Sequence, residues 1–281
     1  MLVNMKEILD DAKLDKYAIG SFNVYNYETI KGVLESIQER NFPAIISFGE
    51  KYLENMHFES VCSLVNSLSK DIEVPVVLHL DHCNNPENVY KAIKAGFTSV
   101  MYDGSSLPYE ENVSNTAKVV EIAHACNVSV EAELGSLAAG VDSHEGNLED
   151  KEIYTDPLMA KDFVQRTKVD ALAVSIGTVH GMYKGTPNIR VDILKKIKEK
   201  VDIPLVLHGG SGTPEDVIVS CIKNGICKIN VNTEISVYTI EKMKELLSNG
   251  QKYHLSEISL LEVKFIKEVV GKYMKLFCKT S

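Results

Sequence analysis

Long apolar runs, paired cysteines, basic clusters and flexible linkers are all missing from this chain of 281 residues. Nothing in it approaches the roughly 20 consecutive apolar residues of a membrane-spanning helix, and no membrane partner is expected. The opening Met1-Leu2-Val3-Asn4-Met5-Lys6-Glu7 lacks the basic-then-apolar order of a secretory signal, so a cytoplasmic location is expected. The six cysteines, Cys62, Cys83, Cys126, Cys221, Cys227 and Cys278, include no CxxC pair, which argues against a disulfide framework and against zinc held by thiolates. Cys83 beside His82 reads as a small buried filler rather than a nucleophile. A net charge of -9 without basic clusters argues against nucleic acid as the main partner. An anionic small molecule remains open, because backbone amides, helix N-termini and a metal bind phosphate locally. With no Ser/Gly linker or composition break, residues 1–281 read as a single domain with a C-terminal helical extension over about 234–278.

What the chain does contain is alternation. Strand-like apolar runs fall at 17–24, 44–49, 74–80, 97–103, 129–134, 171–177, 204–209 and 226–231, with helical apolar spacing over 85–95, 109–126, 156–168, 191–200 and 214–224. Asn85-Pro86-Glu87 and Thr213-Pro214-Glu215-Asp216 each set a capping side chain before proline and acids, and Ala95-Gly96 and Asn224-Gly225 stop helices. Eight βα alternations predict an α/β fold, a (β/α)8 TIM barrel with extra C-terminal helices, over 234–248 and 255–277. A doubly wound open sheet is the alternative, since alternation alone does not show closure. The connection 135–154 is too long for a simple turn and reads as a functional loop.

Barrel enzymes build their sites at the carboxyl ends of the strands, and reactive residues collect there. Asp81 and His82 end the third run and Asp103 the fourth; Glu131 and Glu133 lie on the fifth. His180 follows the sixth, His208 ends the seventh and Asn230 lies at the end of the eighth. Singly, His82, His180 or His208 would read as a structural histidine. Their coincidence at one rim makes a candidate three-histidine site with an open position, the pattern of catalytic zinc. His79 lies on the side of Asp81 but deeper, where a supporting or core role is expected. Strand parity sends His82 to the opposite side from Asp81, so His82 reaches a metal only if the strand has ended or bent there.

Glycine-rich turns follow the same runs: Gly177-Thr178-Val179-His180-Gly181 and His208-Gly209-Gly210-Ser211-Gly212. With Asn230-Val231-Asn232-Thr233, they occupy the place where barrels commonly hold a phosphate.

With these residues placed, the sequence resembles the class II, zinc-dependent fructose/tagatose-bisphosphate aldolase family from about residue 5 to residue 248. The matching text includes Gly20-Ser21-Phe22-Asn23-Val24, Leu80-Asp81-His82, Met101-Tyr102-Asp103-Gly104-Ser105, Glu131-Ala132-Glu133-Leu134-Gly135, Tyr154-Thr155-Asp156-Pro157 and the two glycine-rich turns with Asn230-Val231-Asn232-Thr233-Glu234. The resemblance implies Zn2+ bound by His82, His180 and His208, and Asp81 handling the proton on the oxygen at the bond being cleaved or made. It implies phosphate held by Gly181, Gly209, Gly210, Ser211, Asn230, Val231, Asn232 and Thr233, with Asn23 near the ketose hydroxyls. Asp103 and Glu133 are implied to orient the histidines or offer an alternate metal position. A monovalent cation, Na+ or K+, and a homodimer or homotetramer are implied too.

The expected activity is reversible cleavage of a phosphorylated ketose, such as fructose or tagatose 1,6-bisphosphate, to dihydroxyacetone phosphate and an aldehyde. Three departures qualify it. The usual loop glutamate is replaced by Asp142, with Glu145 the other candidate base. The Asp-Pro-Arg before the last helix reads Tyr253-His254-Leu255-Ser256-Glu257, without the arginine that helps bind a second phosphate. Ser47-Phe48-Gly49 stands where relatives carry Ser-Glu-Gly. A non-catalytic sugar-phosphate-binding relative and a metal-dependent barrel hydrolase are the alternative readings.

Overall fold

Strands that are buried along their whole length must be covered on both faces, the condition of a parallel sheet wrapped in helices. That is the state of β1 (Ile19–Asn23), β2 (Ala44–Gly49), β4 (Ser99–Tyr102), β5 (Ser129–Leu134), β6 (Ala171–Val174), β7 (Leu205–Leu207) and β8 (Ile226–Val231). In β3 (Val76–Cys83) only His82 is partly exposed. The computed structural model describes residues 2–143, 153–185 and 187–278, and its eight strands close into one parallel barrel, ordered β1-β8-β7-β6-β5-β4-β3-β2. The pairing of β1 with β8, Ile19 against Lys228 and Ser21 against Asn230, is the closure that excludes the open sheet. Among the described residues no helix is long and apolar enough to cross a membrane.

Helices α1 (Met5–Asp15), α2 (Tyr27–Arg40), α3 (Phe58–Leu68), α4 (Pro86–Ala95), α5 (Tyr109–Ala125), α6 (Pro157–Thr167), α7 (Val191–Lys198) and α8 (Glu215–Lys223) are followed by α9 (Thr233–Ser248) and α10 (Leu255–Phe277). Asn85 caps α4 as expected, accepting the Glu87 amide. Thr213 does not cap α8. Pro214 occupies that position, and the Thr213 hydroxyl donates back to the Gly209 carbonyl at 3.0 Å. The bend of the preceding turn claims a hydroxyl that local sequence assigns to the helix.

Helix α1 was not expected. Met5, Ile8, Leu9 and Ala12 fall at helical spacing and pack against Ile19, Ile45, Val77, Ala171 and Val206. This plug closes the amino-terminal mouth of the barrel with apolar side chains. Polar groups are thereby left to the carboxyl end. Helix α10 packs on α2 and α9 and against β1, burying Val263, Ile266, Val270 and Phe277. A second unexpected piece is a short parallel pair, Ala138–Ala139 with Val179–His180, which ties the loop after β5 to the loop after β6.

Candidate active site and metal centre

At its carboxyl end β3 loses register between Leu80 and Cys83, and His82 takes φ 43°. That left-handed conformation costs a non-glycine residue on the order of 1 kcal/mol, and histidine tolerates it better than most. The bend that strand parity demanded is therefore present. It lets Asp81 and His82, adjacent in sequence, serve one site from the same strand.

Asp81 is 1% exposed, and both its oxygens are engaged. Asn23 Nδ2, from β1, donates to Oδ2 at 2.9 Å, and Asn230 Nδ2, from β8, donates to Oδ1 at 3.0 Å. Burial opposes ionisation, but the facing His82, Lys228 and His208 hold the carboxyl far below the usual carboxylate range.

The three imidazoles converge. His82, His180 and His208 each offer a nitrogen, all within 4.8 Å of one another. Their ring centroids lie 4.9 Å apart for His82 and His180, 4.5 Å for His82 and His208, and 6.0 Å for His180 and His208. Two rings are oriented by carboxylates: Asp103 Oδ2 lies 2.9 Å from His82 Nδ1, and Glu131 Oε1 lies 2.8 Å from His208 Nε2. The nitrogens left to face the centre are His82 Nε2 and His208 Nδ1, 2.7 Å apart. That is a hydrogen-bond distance. Ligand nitrogens on a tetrahedral zinc stand about 3.3 Å apart, so the rings need to open only by about half an ångström to hold one.

The acids around the rings also fit a cation. Glu133 is buried, and its Oε2, without a hydrogen-bond partner among the described residues, lies 3.9 Å from His208 Nδ1 and 4.0 Å from His82 Nδ1. Burial, then Asp103, push its carboxyl well above the usual range, Glu131 and Asp81 adding to the rise while His82 opposes it. His82, Asp103 and Glu133 form a second group of the right size for a metal. Asp81, Glu131 and Glu133 are all buried, and Lys228 Nζ lies 2.8 Å from Glu131 Oε2; the cluster of buried acids is one that a divalent ion would help to balance.

Lys228 was missed at the sequence level although the signal was present. A lysine inside the buried run Ile226–Val231 requires an acid, and its Nζ stands 2.8 Å from Glu131 Oε2, an electrostatic contact without hydrogen-bond angles. Despite burial, Lys228 and then His208 hold the Glu131 carboxyl down at about 2. His79 takes the deeper place expected for it. Its Nδ1 pairs with Ser99 Oγ at 2.8 Å, and burial, then Lys228, lower its imidazole to about 3.

The glycine turns are close-packed rather than slack. A Cβ on Gly209, φ 71°, would stand 2.2 Å from the Val179 carbonyl oxygen, and one on Gly181, φ 103°, 2.5 Å from that of Val141. Ser211 Oγ accepts the Glu234 amide at 3.1 Å, and Gly210 donates to the Asn230 carbonyl at 2.9 Å, which brings the turn after β7 against the start of α9. Asn232 precedes α9 without capping it, donating instead to Tyr52 Oη at 3.0 Å. Thr233 is buried there, and Val231 turns its side chain into the apolar layer between barrel and helices. Asp142 lies next to Val141, which pairs with Met182 in the loop that carries His180. It is exposed at φ 54°, lines a groove with Ser236, Ile240 and Lys244 of α9, and among the described residues makes no hydrogen bond to Asp81 or the three histidines. Glu145 lies outside the described residues.

A family model described as Fructose-bisphosphate aldolase class-II matches residues 3–281. The fructose-bisphosphate aldolase of Staphylococcus aureus (strain Mu50 / ATCC 700699) is 43% identical over 256 residues, covering 90% of this chain and 88% of the relative. That of Geobacillus stearothermophilus is 44% identical over 250 residues, covering 88% and 86%. Among solved structures, the YdjI aldolase from Escherichia coli K12 superposes with a TM-score of 0.88 at 34% identity, covering 100% of this chain and 99% of that one.

Proposed function

The chain belongs to the class-II fructose-bisphosphate aldolase family, aldehyde lyases that make and break a carbon–carbon bond, and from that premise we propose that it cleaves a phosphorylated ketose reversibly to dihydroxyacetone phosphate and an aldehyde. The observation that carries the reading is the convergence of three imidazoles beside an acid pinned by two amides.

His82, through Nε2, and His208, through Nδ1, would hold Zn2+ together with His180, while Asp103 and Glu131 fix the first two rings. When bound, the ion supplies Lewis-acid polarisation of the ketone and stabilises the negative charge that develops there. Asp81, kept ionised by its surroundings, takes the proton from the hydroxyl at the breaking bond and returns it in condensation. Asn23 and Asn230 donate to both carboxylate oxygens and so hold the carboxylate in place. Gly181, Gly209, Gly210, Ser211 and residues 230–233 would present amides and hydroxyls to the phosphate, with Na+ or K+ alongside. Asp142, or Glu145 in its place, would move the proton on carbon.

Where relatives carry an arginine, His254 instead caps α10 and Glu257 completes the capping box. Without the arginine that the family resemblance implies for a second phosphate, the case for a bisphosphate is weaker, and mono- and bisphosphorylated ketoses are both candidate substrates. We take the chain as one barrel unit with α9 and α10 integral to it, cytoplasmic and working as a homodimer or homotetramer. The test is a panel of mono- and bisphosphorylated ketoses with product identification. Zinc-loaded protein should release dihydroxyacetone phosphate, and chelator or His208→Ala should abolish this. Turnover indifferent to both would overturn the reading.

A further inference from the structure

Helix α10 reaches past the barrel wall to the glycine-rich turn after β7. Tyr273, buried at 3% exposure, donates its hydroxyl to Glu234 Oε2, and Lys272 Nζ lies 3.0 Å from Glu234 Oε1. Glu234 occupies the first turn of α9. Its Oε2 accepts the Gly212 amide at 3.2 Å, and its own amide donates to Ser211 Oγ at 3.1 Å. One residue thus grips two consecutive members of the turn, through its side chain and through its backbone. The turn is held from the other flank by Tyr183 Oη, 2.9 Å from Thr213 Oγ1, and by Met182, whose methyl would lie 3.0 Å from a Cβ on Gly212.

A carboxylate beside a phosphate cradle needs explanation, because its charge repels the ligand. Were Glu234 there for charge alone, it would weaken binding. Its three donors show another use: Tyr273, Lys272 and Gly212 share its two oxygens, Lys272 offsets its charge, and the residue becomes a strut between α10 and the turn.

We propose that Glu234, held by Tyr273 and Lys272, is a positioning residue that sets residues 209–213 for the substrate's phosphate. The α10 extension thereby acquires a role in binding, at a distance from the reacting bond. This rests on the phosphate reading above.

Tyr273→Phe removes one donor and keeps the ring packed against Phe277, at 5.5 Å between centroids. The expected result is a rise of about three- to tenfold in KM for the phosphorylated ketose and the same rise in the inhibition constant of inorganic phosphate, the scale of one net hydrogen bond. Zinc content should stay at the wild-type value and kcat within about twofold. Glu234→Ala, which frees the Gly212 amide as well, should weaken phosphate further; should it fail to fold, Tyr273→Phe decides alone. A Tyr273→Phe protein with a lowered Tm but wild-type KM and phosphate inhibition overturns the proposal and leaves a purely structural contact. A wild-type protein that inorganic phosphate does not inhibit overturns the phosphate reading itself, and the strut with it.

Discussion

Replacing Lys228 by methionine isolates the buried charge on which the site is built. Lys228 and Glu131 are both 0% exposed, with Nζ and Oε2 2.8 Å apart. Methionine fills much of the stem's volume but removes the cation, leaving Glu131 a buried carboxylate beside two imidazoles only, His208 Nε2 at 2.8 Å and His79 Nε2 at 3.8 Å. Breaking a buried pair from one side costs about 3–5 kcal/mol, because the surviving charge has lost both water and partner. For a chain of this size that corresponds to a fall of roughly 6–20 °C in Tm, at about 2–4 °C per kcal/mol. Adding Glu131→Gln removes the stranded charge while keeping a carbonyl oxygen for His208 Nε2, so the double variant should recover most of the loss. The assay is thermal and urea unfolding of metal-free wild type, both single variants and the double, since bound zinc would add its own stabilisation. A Lys228→Met protein within about 1 kcal/mol of wild type, or a double variant as unstable as the two losses added together, refutes the argument.

Two further outcomes follow from the same geometry. Asp81→Asn preserves shape and neighbours but cannot take a proton, so kcat should fall on the order of a hundredfold or more at unchanged zinc content; retention of more than a tenth of wild-type turnover would remove Asp81 from proton transfer. His79 titrates at about 3 in the folded protein against 6.5 unfolded, so between those values the unfolded chain binds more protons and stability is lost as pH falls. Glu131, held at about 2, adds loss in the same direction at the acid end. Glu133, whose carboxyl is raised, opposes the histidine's contribution above its own unfolded value. The difference between wild type and His79→Gln isolates the histidine: the variant should show a shallower decline in urea midpoint from pH 6.5 to about 3, and identical slopes would refute the assignment.

The sequence is legible wherever one residue's neighbours along the chain decide its state. Apolar runs that end in polar side chains marked the strand ends, and apolar spacing placed α10 at Leu255–Phe277 without error at either end. Helix α1 escaped because its apolar stripe packs inside the barrel mouth rather than on its flank, and the Ala138–Ala139 pair because two residues carry no periodicity. Lys228 and Glu131 were visible singly, but their meeting depends on barrel closure between residues 97 positions apart. Thr213 was misassigned for the same reason: its competing partner, the Gly209 carbonyl, is set by the turn and not by the helix it precedes.

The pair Asp81 and His82 shows how one backbone choice converts adjacency into a site. On a regular strand these neighbours point to opposite faces, and only one could look into the barrel mouth. The register break after Leu80 and the left-handed His82 remove that restriction. Asp81 keeps its inward place, where β1 and β8 bring Asn23 and Asn230 to its two oxygens. His82 is swung toward β4 and β7, where Asp103 and His208 take its two nitrogens. A candidate proton carrier and a candidate metal ligand are thus fixed on consecutive residues by different neighbours, so each can be altered without moving the other's partners. That independence requires Asp81→Asn to lower turnover without releasing zinc and Asp103→Asn to weaken zinc without freeing Asp81.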